Sequence, residues 1–154
     1  MIRYVLAIVL AVALVALSAP AIEHAASVTT ERQVERDVDA IERGATSLIE
    51  REELPPDGQP PPRRTVPVTL PDASITASSI DRFEIERTSA ETSTATVTLS
   101  DGVQFTEPID APIVYETSTA NRSVELGGTG VERTLALHLA TDPDGTRIVV
   151  VHRT

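Results

Sequence analysis

The chain contains no cysteine, no tryptophan and no lysine, and only one asparagine. The missing cysteine excludes a disulfide framework, a lipid-modified cysteine, thiolate metal sites and cysteine catalysis together. A domain of this kind must hold itself together by packing and hydrogen bonds. Aromatics make up only 3% of the residues, as Tyr4, Phe83, Phe105 and Tyr115. Any core is therefore built from Val, Ile and Leu, and is modest in size. All 13 basic residues are arginine, against 23 acids, for a formal charge of −10. A chain this acidic repels phosphate backbones and anionic lipid head groups, so no nucleic-acid partner is expected.

The most informative feature present is a long apolar run. Tyr4 to Leu17 reads YVLAIVLAVALVAL, and Ser18 to Ile22 extends it without a charge. Residues 4–22 at helical rise span about 28 Å, close to the hydrocarbon thickness of a bilayer. Residues 1–22 are thus read as a transmembrane anchor or a signal peptide. Ala19-Pro20-Ala21 fits the small-x-small pattern of signal cleavage after Ala21. Helical periodicity resumes soon after residue 22, which favours a retained anchor. Arg3 before the run and acids after it orient the N-terminus to the cytoplasm and the remainder outside. A protein secreted after cleavage is the alternative.

Residues 23–53 form the next unit, with helix expected over 24–53. Val34, Val38, Ile41, Ala45 and Leu48 recur at 4-3-4-3 spacing and so share one stripe. Glu31, Arg32, Glu35, Arg36, Asp39, Glu42 and Arg43 occupy the other faces. Thr29 or Thr30 is placed to cap the start. The stripe needs a partner: the chain's own sheet first, or else a neighbouring chain through an interaction face. Residues 54–64 read as a stiff spacer, with five prolines in the nine residues Leu54–Pro62 and the dibasic pair Arg63-Arg64 as an exposed hinge.

From residue 65 to 154 the period changes from 3.6 to 2. Val66, Val68 and Leu70 alternate with polar or small residues, as do Leu135, Leu137 and Leu139. Asp101-Gly102 and Asp142-Pro143-Asp144-Gly145 are turn signals. About seven short strands give a small antiparallel sheet or sandwich, and the fold class is α+β.

No chemistry-bearing constellation emerges. His138 and His152 fall on the two strands of the last hairpin, but no third ligand has suitable spacing, so no metal is expected. Asp142, Asp144 and Gly145 match a fragment of a calcium loop whose other ligands are missing. Gly127-Gly128-Thr129-Gly130 lacks the lysine and following helix of a phosphate loop. No G-x-S-x-G occurs, so no catalytic residue and no cofactor is assigned, and the chain reads as non-enzymatic. Asn121-Arg122-Ser123 is an N-x-S sequon, which makes Asn121 a candidate glycosylation site.

Three segments carry a resemblance: Met1-Ile2-Arg3 with the run to Ala21, Val38-Asp39-Ala40-Ile41-Glu42-Arg43-Gly44-Ala45, and Arg63-Arg64-Thr65-Val66-Pro67-Val68-Thr69-Leu70-Pro71. With the acidic, lysine-free composition of a halophile, the chain resembles uncharacterised small haloarchaeal membrane proteins associated with type IV pilus-like systems. That resemblance implies a pilin-like or accessory component of a surface assembly, with the membrane and other subunits as partners. One departure is that archaeal pilin precursors usually carry a basic-plus-small cleavage site before the apolar run, and only Met1-Ile2-Arg3 precedes it here. An envelope-bound or secreted β-rich binding module is the alternative function.

Overall fold

A computed structural model describes residues 2–56, 58–74, 77–119, 121–128 and 132–153, leaving aside the side chains of 18–23 and 153. Among these residues one long helix, α1 (Ile2–Arg51), precedes eight strands. The strands are β1 (Arg63–Thr69), β2 (Ile80–Arg87), β3 (Ser93–Leu99), β4 (Gln104–Ile109), β5 (Ile113–Tyr115), β6 (Val124–Glu125), β7 (Glu132–Thr141) and β8 (Arg147–Arg153).

The apolar run and the amphipathic stretch are one continuous helix of 50 residues, about 75 Å long at 1.5 Å per residue. Thr29 and Thr30 therefore cap nothing. Thr29 bonds back to the Ala25 carbonyl at 2.9 Å, the usual resort of a hydroxyl inside a helix. The helix ends at Arg51, just short of Pro55 and Pro56, because a proline ring disfavours helical backbone in the residue before it. Arg147 of β8 donates to the Ile49 carbonyl at 2.9 Å, satisfying one of the acceptors that every helix C-terminus leaves open.

The strands form two four-stranded sheets. The first has the order β1-β7-β8-β5, the second β4-β3-β2-β6. Three adjustments to the sequence reading follow. Arg63 and Arg64 are not a hinge; they open β1, paired with His138 and Leu137 of β7. The strand count is eight rather than about seven. And β5 pairs with β8 in parallel, Ile113 opposite Val149, so the first sheet is mixed rather than antiparallel. The unbroken apolar run Ile148–Val151 fits that position, since all four residues are buried. Continuous rather than alternating hydrophobicity marks a strand covered on both faces.

One core joins three walls: the α1 stripe, the inner face of the first sheet (Val66, Val68, Leu135, Leu137, Leu139) and that of the second (Phe83, Ile85, Val97, Leu99). Val34, Val38, Ile41, Ala45 and Leu48 are each 3% exposed or less. The stripe is thus consumed by the chain's own sheets, and the alternative of an interaction face for a neighbouring chain is corrected. Gly44 lies where α1 packs against the first sheet. A Cβ there would stand 2.9 Å from Leu137 Cδ1 and 3.1 Å from Val66 Cγ2, so the absence of a side chain sets the approach.

Candidate functional site

α1 changes character along its length. Every residue from Ile2 to Leu17 is exposed, and the large apolar side chains range from Leu14 at 58% to Ile2 at 85%. Among the described side chains of α1, the first buried one is Ala26, 6% exposed. No other described part of the chain covers this apolar surface. Among the described residues no helix is long and apolar enough to cross a membrane. The described apolar side chains stop at Leu17; the candidate cleavage position at Ala21 lies in α1, but its side chain is outside the described residues.

Two buried hydroxyls hold the head together. Thr30, fully buried, donates to the Ser78 carbonyl and accepts the Ser78 N–H, both at 2.9 Å. Nearby, Ser27 donates to Asp101 at 2.9 Å. These bonds dock the middle of α1 against the loop before β2 and the β3–β4 turn. Ser93, 1% exposed at the start of β3, donates to the Ala111 carbonyl and accepts the Ile113 N–H, both at 2.8 Å. It fixes the segment that carries the chain from the second sheet into the first. Ser93 did not stand out in the sequence and Thr30 stood out only as a helix cap, because their partners are distant along the chain and local pattern carries no trace of them.

At the opposite pole, Arg87 at the end of β2 pairs with Asp142 in the β7–β8 turn at 3.1 Å, and the side chains are 15% and 7% exposed. The same guanidinium donates to the Ser89 and Ala90 carbonyls. Asp142 accepts the N–H of Thr146 at 2.9 Å and of Asp144 at 3.0 Å. The Thr146 N–H first, with Arg87 and Asp144 adding to it, holds the Asp142 carboxyl below the usual carboxylate range. Asp142 to Gly145 is therefore a hairpin turn, as expected, and a lock between the two sheets. Asn121 lies on the rim of the shallow depression that these groups line with Asp144.

The two strand histidines do meet. His138 and His152 are edge to face with ring centroids 5.3 Å apart. Burial, then the nearby His152 and Arg63 charges, push the His138 imidazole below its ordinary value. No third ligand joins them: among the described residues no group of three or more His, Asp or Glu is placed to hold a metal. Gly127 and Gly128 lie in the loop before β7, while Thr129 and Gly130 lie outside the described residues. Asp37 is the one acidic side chain of α1 among the buried polar residues, with its Oδ2 lacking a partner among the described residues. Desolvation raises its pKa, opposed by Gln33, Thr69 and Arg36.

The fold and its surface define a class: a two-sheet head clamped to the C-terminal half of a long helix whose described N-terminal side chains, Ile2–Leu17, are largely apolar and exposed. The chain belongs to the family described as a domain of unknown function (DUF7311), whose model matches residues 1–154. No curated protein and no solved structure matches it.

Proposed function

We propose that the protein is a non-enzymatic, membrane-anchored extracytoplasmic subunit, a pilin-like or accessory component of a type IV pilus-like surface assembly. The observation that carries this reading is the division of α1: an exposed apolar N-terminal third, Ile2–Leu17, on the same helix as the stripe Val34–Leu48 that is sunk in the head. Such a helix anchors the subunit in lipid and offers the same side chains to neighbouring helices once subunits gather. The partner-facing surface is then the N-terminal third of α1 rather than the stripe at Val34 to Leu48. The N-terminus lies in the cytoplasm and the head outside.

A second reading has its own support. Cleavage after Ala21 leaves the packed part of α1, from Ala26 onward, intact with the head. The product is a secreted or envelope-bound module. Mass spectrometry of the mature N-terminus in the membrane fraction separates the two. An intact Met1 favours the anchor, a start at Ile22 the released module, and a cut near Arg3 a processed pilin. Because the chain has no cysteine, Leu10→Cys gives a single-site cross-linking probe. Disulfide-linked dimers in the membrane support assembly through the apolar third. A lone monomer in mild detergent, with no co-purifying partner, counts against it.

A further inference from the structure

Asn121 is the only asparagine in the chain, and it falls in the sequence Asn121-Arg122-Ser123. The structure puts it on the β5–β6 connection, exposed and outside regular secondary structure. Its side chain makes no hydrogen bond among the described residues. The loop is pinned at its base, where the Tyr115 N–H donates to the Arg122 carbonyl at 3.0 Å and Arg122 pairs with Glu116 at 3.2 Å. Asn121 is the loop residue immediately before that closure. It borders two open depressions, one with Tyr115, Ser123 and Glu125, the other with Arg87, Asp142 and Asp144. A bulky group attached here meets solvent rather than core.

Its place on the molecule matters as well. The β3–β4 turn and Ser78 lie beside Ser27 and Thr30 of α1, whereas Ala90 and Thr146 lie beside Ile49. Ser27 and Ile49 are about 33 Å apart at helical rise. Asn121, next to Ala90 and Asp142, therefore occupies the pole of the head far from the apolar third of α1.

We propose that Asn121 is an N-glycosylation acceptor, modified by a membrane oligosaccharide transferase from a lipid-phosphate-linked sugar donor. The inference rests on the extracytoplasmic placement of the head. In the transfer, the Asn121 carboxamide nitrogen bonds to the anomeric carbon of the first sugar. The bond from that carbon to the phosphate oxygen breaks, the lipid phosphate leaves with the electron pair, and one amide proton goes to a base of the transferase. Ser123 supplies the hydroxyl that acceptor recognition requires at the second position after asparagine.

The test uses the full chain purified from its native cells and digested with trypsin, so that Asn121 lies in the peptide beginning at Thr88. Fragmentation is expected to locate a mass of whole sugar units on Asn121 in the parent and in Ser123→Thr. Asn121→Gln and Ser123→Ala are expected to lose it completely while keeping the parent's circular dichroism. That pattern also separates the modification from sugars on the many hydroxyls of the same peptide. In parallel, protease is added to intact cells. An unmodified Asn121 on a head that the protease removes overturns the glycosylation and leaves the proposed function standing. An unmodified Asn121 on a head protected inside the cell overturns both.

Discussion

Gly44 offers the sharpest test of how α1 sits on the first sheet. In an open helix, Gly→Ala stabilises by about 1 kcal/mol, because alanine costs less backbone entropy. Here the new methyl would arrive 2.9 Å from Leu137 Cδ1 and 3.1 Å from Val66 Cγ2. Both are core side chains with little room to retreat, Leu137 being fully buried and Val66 6% exposed. Overpacking a close-packed core costs about 1–3 kcal/mol. Gly44→Ala is therefore expected to lie between neutral and about 2 kcal/mol destabilised, despite its favourable propensity. Leu137→Val removes the offending Cδ1 and about one methylene, and alone should cost about 1 kcal/mol. Combined, the new methyl occupies the space that Leu137 gives up, and the pair should be more stable than the sum of the single effects by about 1 kcal/mol. With no tryptophan for fluorescence, urea unfolding of the full chain in mild detergent is followed by far-ultraviolet circular dichroism, with an unchanged slope as the check on two-state behaviour. If Gly44→Ala raises stability by the full propensity term, or the double mutant is additive within about 0.5 kcal/mol, the close approach of α1 is refuted.

Three further outcomes follow from buried polar groups. Thr30→Val keeps the shape but strands the Ser78 N–H and carbonyl, so unfolding experiments should show a loss of about 1–3 kcal/mol, with faster hydrogen exchange at the Ser78 amide. Ser93→Ala leaves the Ala111 carbonyl and the Ile113 N–H unsatisfied and should cost a similar amount, about 1–3 kcal/mol; no loss would mean that water replaces the hydroxyl. Burial raises the Asp37 pKa, so the folded chain retains a proton that the unfolded chain releases above about 3.8. Its contribution is therefore full below that value and declines as pH rises through the folded pKa. Asp37→Asn should match the parent in acid and exceed it in stability at neutral pH; equal stability at both would show that the buried carboxylate carries no penalty.

Much of the fold was legible because it rests on local period. The stripe Val34, Val38, Ile41, Ala45, Leu48 and the alternation at Leu135, Leu137, Leu139 each state which face is apolar, and burial follows directly. The turns at Asp101-Gly102 and Asp142–Gly145 were legible for the same reason. Gly102 and Gly145 both have φ +85°, a conformation that glycine adopts without strain. The exposed state of Asn121 agrees with its loop composition. The meeting of His138 and His152 followed from a hairpin register that the turn sets.

Other features depend on contacts between distant residues, for which no local pattern exists. Residues 2–51 fold as one helix rather than two units, and it runs on through Pro20 even though proline supplies no helical N–H there. The parallel pairing of β5 with β8 depends on how Ser93 holds the crossing segment, and the lock between Arg87 and Asp142 depends on two turns meeting at one pole. The sequence by itself determined the helix stripe, most of the strands, the acidic surface and the apolar run, because each is a matter of composition and spacing. Only the tertiary structure decided that the stripe serves the chain's own sheets. Local period says that a face is apolar, but its partner is chosen by which surfaces the whole chain brings within reach.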